Sequence, residues 1–344
     1  MSPKTVEDLQ KSRAAKEQIL RELGGFPESI MVHDKSDKAI DPIADERSYA
    51  NQSMTKDDPE ALEAFSMSGM SCRAGGLSKF PQNVGRMLLK FYAKKGCNVV
   101  DPFAGHNSRM EFCWRAGYNY YGSDLSHEFM KANFLVRDKL LNEATSGLFG
   151  PEAKKGDTGV VNRHTSALSQ TDMFGAPTLE PSKEEETSQP AVEPTVTTPV
   201  SVPIIELREG DSRTLPWDDH FAQFTITSPP YWDLEYYGDE IGQLGRASYY
   251  EFLTGLEAVA AENFRCLSHN SFCVWCINDF RKDGKFYNYH GDVIKLMTRV
   301  GFTQWDMVIV DFGTSIKAAF TVQNYQQKII PKRHEYWPVF RKIT

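Results

Sequence analysis

The chain has 344 residues, a formal net charge of −7, 40% hydrophobic residues and six cysteines. That is enough for one large domain or two small ones. No apolar run is long enough to span a bilayer, and the polar N-terminus lacks a secretion-signal core, so a soluble cytoplasmic protein is expected. The acidic balance argues against an indiscriminate coat on nucleic acid. The cysteines are scattered, and Cys273 and Cys276 sit in a run that reads as a buried strand, so core thiols are expected and no metal site.

In chain order, Val6 to Leu23 has helical spacing. Residues 27–70 are irregular and polar, and 1–74 reads as an N-terminal helix and arm with little core of its own. A strong block opens near Phe80, and 75–148 forms its first half. The segment "NVGRMLLKFYAKKG" is helical and "CNVVDPFAG" is a strand with a turn. "SRMEFCWRAG" is helical, "YNYYGSDLS" is a second strand, and "HEFMKANFLVRDKLLNEA" is an amphipathic helix. Residues 149–202 are rich in Pro, Ser, Thr, Glu and Lys and read as a disordered linker. The rhythm resumes over 203–344 with four further strands, in "VPIIELREGDSRTL", "FAQFTITSPPYW", "SFCVWCIND" and "TQWDMVIVDF", and a last one in "HEYWPVFRK". Helices lie between them. The expectation is an α/β fold with a doubly wound, mostly parallel sheet of seven strands.

In such a sheet, ligands sit outside the carboxyl ends of the strands. Four predicted strand ends stop at a polar or turn-forming group: the Asp101-Pro102-Phe103-Ala104-Gly105 turn, Asp124, Asp211 and the Ser228-Pro229-Pro230-Tyr231 corner. The Gly-rich fingerprints of dinucleotide and triphosphate sites are absent. Acids on successive strands suit a ligand with ribose hydroxyls, an adenine amine and a positive charge, which S-adenosylmethionine combines. The proline corner lacks two N–H groups, so its carbonyls stand as acceptors beside the Ser228 hydroxyl and the Tyr231 ring. That arrangement fits a planar heterocycle with an exocyclic amine, positioned for methyl attack after the base leaves its duplex.

Together these motifs resemble the DNA amino-methyltransferases, most closely the cytosine-N4 branch, with the adenine-N6 branch related. "TSPPYW" resembles the catalytic motif, which implies catalytic roles for Ser228, Pro229, Pro230 and Tyr231. "DPFAG" resembles the cofactor motif, covering Asp101, Pro102, Phe103, Ala104 and Gly105. "SKFPQNVGRML" resembles the segment closing the methionine end, with Phe80 and Pro81. Asp124 matches the ribose-binding acid and Asp211 the acid near adenine. The resemblance implies a Rossmann-like methyltransferase fold, S-adenosylmethionine as cofactor, DNA as substrate and a prokaryotic or phage-infected host cell. Two departures stand out. "GHNSR" replaces the usual Gly-x-Gly-Thr continuation, bringing in His106, Asn107 and Arg109, and no separate recognition domain is visible. Sequence preference is expected from the arm, from "EYYGDEIGQLGR" or from the basic tail. A nucleic-acid-binding relative with weak catalysis stays open as an alternative.

Overall fold

Short runs of β-branched and aromatic residues, each ended by Gly, Pro or Asp, become strands when both sides of the pleat are covered. The computed structural model describes residues 6–23, 28–34, 80–105, 108–145, 202–234, 240–313 and 321–343. Its strands are β1 (Ile30–Val32), β2 (Asn98–Asp101), β3 (Asn119–Asp124), β4 (Ile205–Glu209), β5 (Ala222–Thr227), β6 (Leu267–Trp275), β7 (Phe280–Lys282), β8 (Lys285–Tyr287), β9 (Thr303–Asp311) and β10 (His334–Arg341). Its helices are α1 (Val6–Leu23), α2 (Gln82–Tyr92), α3 (Ser108–Arg115), α4 (His127–Thr145), α5 (Tyr249–Cys266), α6 (Tyr289–Val300) and α7 (Thr321–Gln327). The chain divides into one unit of Met1–Pro151 with Val202–Thr344 and a second unit, Glu152–Ser201. That second unit, the expected disorder of the linker and most of the arm lie outside the described residues.

Eight strands form one sheet in the order β1-β9-β10-β6-β5-β2-β3-β4, and β7 with β8 makes a separate hairpin. Strand β10 runs antiparallel to β6 and β9, whereas the other pairings in the sheet are parallel. The expected seven-stranded sheet is therefore corrected to eight strands with one reversed. The additional strand, β1, comes from the arm expected to have little core. Met31 is buried in the main apolar cluster, and Asn83 clasps the strand, donating to the Val32 carbonyl at 2.8 Å and accepting from Asp34 N at 3.2 Å.

Alternation along the strands sends neighbouring residues to opposite faces. Val99, Tyr120 and Val274 pack with Leu88, Phe112 and Met130 of α2, α3 and α4. Val100, Tyr121 and Trp275 pack with Leu256 and Val293 of α5 and α6 on the other face. Both faces are thus covered, as a parallel sheet requires. Between β2 and β5 the strand order changes direction, β2 leading to β3 on one side and β5 to β6 on the other. The carboxyl ends of these strands frame the crevice where ligands bind in open α/β sheets.

Helix α2 sets one wall of that crevice. A Cβ on Gly85 would lie 2.8 Å from ring atoms of both Phe80 and Phe112. Both rings are buried, so neither can swing aside freely. Alanine normally gains about 0.5–1 kcal/mol over glycine within a helix. Gly85→Ala is nevertheless expected to destabilise by about 1–3 kcal/mol through overpacking, read as a lower urea midpoint, and to displace Phe80.

Candidate active site

One cavity opens at this switch point. Its wall includes Pro102, Phe103 and Gly105 after β2, Asp124 at the end of β3, Asp211 after β4, and Ser228, Pro229, Pro230 and Tyr231 after β5. Phe80 and Pro81, which lead into α2, close one side. The structure thus brings together residues spread over more than half the sequence. Asp101 and Ala104 are the two expected site residues that do not line it.

Asp101 has another task. Its side chain is 0% exposed, and its two oxygens are already engaged. Oδ2 accepts from Arg109 Nε at 2.6 Å and from the Tyr120 hydroxyl at 2.7 Å. Oδ1 accepts from the Thr227 hydroxyl at 2.6 Å and from Phe103 N at 3.2 Å. Asp101, expected among the cofactor-binding residues, is thus taken up by protein donors and holds the turn whose next residues line the cavity. Burial lowers the pKa of the Arg109 guanidinium, but its neighbours together, Asp101 first and then Tyr120, hold it above the ordinary value. Arg109 Nη2 in turn donates to the carbonyls of Phe103 at 2.5 Å and Ala104 at 3.0 Å. Ala104 is buried behind the turn, so its contribution is this carbonyl and not a wall.

The fixed turn presents Gly105, at φ +43°, with its N–H donating to Asp124 Oδ2 at 2.7 Å. Ser126 N donates to Oδ1 at 2.9 Å. Burial pushes the Asp124 carboxyl up to about 6, against the lowering effect of these two donors. Asp211 differs. Bonded to Arg213 through Nε at 2.9 and 3.0 Å and also through Nη2, it is held below the usual carboxylate range. Neighbouring strand ends therefore carry one carboxylate that titrates near pH 6 and one that stays ionised.

The proline corner is braced from beneath. The Tyr289 hydroxyl donates to the Pro230 carbonyl at 2.9 Å. Ser228 Oγ donates to the Cys276 carbonyl at 3.3 Å, while Cys276 N donates to the Thr227 carbonyl at 2.8 Å. Among the described residues nothing donates to the Pro229 carbonyl. Trp232 follows at φ +53°, an unusual backbone for a bulky side chain. Its indole N–H is fixed on the Ala247 carbonyl at 2.8 Å.

Sequence reasoning missed several wall residues. Arg109 and Glu335 carry charge on the wall, Ser212 and Gln243 are polar, and Leu125, Phe129, Leu244 and Val259 are apolar. The helical face of "HEFMKANF" could have suggested Phe129. Nothing in the spacing signals Leu244 or Glu335. His106, Asn107 and the stretch 235–239 lie outside the described residues. Among the described residues no group of His, Cys, Asp or Glu is placed to hold a metal ion, and no helix is long and apolar enough to cross a membrane.

No family model matches the chain, and no curated protein matches it. Among solved structures, a provisionally named DNA modification methylase from Thermus thermophilus, complexed with S-adenosyl-L-methionine, is 26% identical over 39% of this chain and 54% of that one, with a TM-score of 0.31. The chain spans about half the length of that protein. A SAM-dependent methyltransferase from Methanosarcina mazei is 10% identical over 78% of this chain and 99% of that one, at a TM-score of 0.41. A provisionally named methyltransferase from Bacillus halodurans is 11% identical over 76% and 99%, also at 0.41. These TM-scores are too low to establish a shared fold, and the functional reading rests on the geometry of the site.

Because Arg109 has Asp101 as its buried counter-charge, Asp101→Asn is expected to cost about 3–5 kcal/mol, the penalty typical of a buried ion left without its partner. The urea midpoint reads it. An unchanged midpoint would mean that the turn is held by its backbone alone.

Proposed function

We propose that this chain is an S-adenosylmethionine-dependent DNA methyltransferase acting on the exocyclic N4 of cytosine. The observation that carries the reading is the orientation of the Ser228 hydroxyl. Its proton has the Cys276 carbonyl as acceptor at 3.3 Å, which leaves the oxygen lone pairs of the hydroxyl to accept. Pro229 follows with a carbonyl that no described residue donates to, and Ser228, Pro229 and Tyr231 line one cavity. A wall of acceptors against an aromatic face suits a flat ligand whose edge carries only donors there, which is what an exocyclic amine offers.

The opposite wall fits the cofactor by its donor set. Asp124 and Asp211 can accept from ribose hydroxyls and an adenine amine. Gly105 at the turn lets a ligand approach the backbone closely, and Phe103, Leu125 and Phe129 supply an apolar bed. Asp124, Asp211 and Glu335 against Arg109 leave the lining with a net acidic character that suits a cationic ligand. Bound there, the cofactor supplies an electrophilic methyl group on a sulfonium.

The residues of this chain do the positioning. Ser228 Oγ and the Pro229 carbonyl would accept the two amine hydrogens, and Tyr231 would stack on the ring. Drawing the hydrogens to these acceptors turns the nitrogen lone pair out of conjugation and toward the cofactor side. Because prolines and buried partners fix the acceptors in advance, orientation and electrostatics carry the catalysis. Attack by a neutral amine needs no general base: the N–C bond would form as the methyl–sulfur bond breaks, S-adenosylhomocysteine would leave, and the cationic methylated amine would then lose one proton to solvent.

The test is incubation with labelled cofactor and mixed-sequence DNA, followed by nucleoside mass analysis. N4-methylcytosine is the expected product. N6-methyladenine would keep the enzyme class and overturn the base assignment, whereas no transfer to any DNA would favour a binding relative. Ser228→Ala is expected to lose most turnover and keep cofactor affinity. Asp124 supplies a second prediction. Hydroxyls donate to the ionised form, so cofactor affinity is full above about pH 6 and declines as pH falls through that value. Calorimetry from about pH 7.5 down to about pH 5 reads the decline, and Asp124→Asn flattens it. A flat profile in the parent protein would rule out Asp124 as the hydroxyl acceptor.

A further inference from the structure

Between β6 and α6 the chain folds into a separate two-stranded hairpin. Strands β7 and β8 pair with each other through Phe280–Tyr287, Arg281–Phe286 and Lys282–Lys285, and with no other strand. Asp283 and Gly284 form a two-residue turn with φ of +48° and +74°, the signature of a primed hairpin turn. An isolated two-stranded hairpin is marginal in water, so something must hold this one in place.

The inner face does. Phe280 and Tyr287 stack at 5.1 Å and pack on Tyr249, at 6.2 and 4.7 Å, and on Trp232, at 6.4 and 5.3 Å. Lys282 forms an ion pair with Asp233 and lies 4.6 Å over the Trp232 ring. Both Trp232 and Asp233 directly follow the proline corner. The hairpin is thereby fastened to the chain that carries Ser228 to Tyr231.

The outer face has a different composition. Phe286 is 48% exposed, with the Arg281 guanidinium 5.2 Å above its ring and Lys332 Nζ at 4.7 Å. Lys332 is paired with Asp279 at 3.1 Å. Among the described residues Arg281 has no carboxylate partner, and neither has the exposed Lys285, which pairs in register with Lys282 beside the turn, on the opposite side of the ribbon from Phe286. The exposed ring thus lies between two cations, of which Lys332 is paired and Arg281 keeps its charge for solvent or a ligand. A single strand unstacking from a duplex offers the matching groups, phosphates for the cations and a π-face for the ring. A chain of net charge −7 also needs a local basic element to hold a polyanion.

We infer that the β7–β8 hairpin is the DNA-backbone clamp of the site, with Arg281 and Lys285 on phosphates and Phe286 against a base or sugar exposed when the target nucleotide leaves its stack. This rests on the proposed DNA substrate and adds where the strand is held. It also departs from the sequence expectation, which sought recognition in the arm, in the 235–246 stretch or in the tail.

The test uses the full chain, a short mixed-sequence DNA duplex, an RNA of the same sequence and free S-adenosylmethionine. Neither Arg281 nor Lys285 supports the core, so Arg281→Ala with Lys285→Ala is expected to fold and to bind the cofactor as the parent does by calorimetry. Its slope of log affinity against log salt on DNA is expected to be shallower than the parent's by about 2, one per lost phosphate contact. Phe286→Ala is expected to lower DNA affinity roughly ten-fold while leaving the slope unchanged. An unchanged slope in the double variant overturns the clamp, as does a parent that prefers the RNA. Failure of the parent to bind cofactor sinks the methyltransferase reading instead, and the salt slope still decides the hairpin.

Discussion

The site depends on a single buried ion pair, Asp101 with Arg109. Removing both charges from water costs several kcal/mol per ion, repaid only when geometry and further hydrogen bonds are good. Here they are. Asp101 gathers Arg109 from α3, Tyr120 from β3, Thr227 from β5 and the backbone of its own turn. One carboxylate thus ties three strands and a helix at the point where the sheet changes direction. The consequence runs outward. Arg109 grips the Phe103 and Ala104 carbonyls, the gripped turn aims Gly105 N at Asp124, and Asp124 faces the cavity. A charge pair set mostly behind the wall therefore decides where the cavity-facing acid stands.

The other half of the site obeys a different constraint. Prolines at 229 and 230 cannot join the ladder that β5 makes with β6, so the chain must leave the sheet at Ser228. Tyr289, buried under the corner, catches the Pro230 carbonyl, and the carbonyl of Cys276 catches the serine proton. The turn side is fixed by charge and the corner side by aromatic packing and proline geometry. The two meet across the cavity because Thr227, one residue before the corner, is also a partner of Asp101.

The sequence carried the strand ends well, since each ended in a residue type that chemistry at a sheet rim requires. It could not separate a carboxylate that faces the cavity from one enclosed by protein. Asp101 and Asp124 both follow apolar runs, and only the third dimension shows that Arg109, eight residues on across a turn, claims the first. The reversed direction of β10 was equally hidden, because apolar patterning fixes the face of a strand and not its polarity. Strand β1 has three residues and one buried side chain, too little for alternation to register. The hairpin is another matter, since the Asp-Gly of "RKDGKF" between aromatic residues is a strong local hairpin signal.

Trp232 joins these parts into one device. A tryptophan in the left-handed region costs of order 1–3 kcal/mol and persists only when its surroundings over-determine it. They do: the indole N–H is bound to Ala247, Lys282 covers one face, and Tyr249 and Tyr287 close at 5.3 Å each. Even the neighbouring glycine is committed, since a Cβ on Gly245 would lie 2.6 Å from the Trp232 carbonyl. The strained residue sits between the proline corner and the hairpin, whose Arg281, Lys285 and Phe286 are exposed. Strain at such a junction has a mechanical use. Held by the Ala247 carbonyl, Lys282, Tyr249 and Tyr287, the backbone after Tyr231 is intolerant of drift, which fixes the proline corner and the hairpin relative to each other.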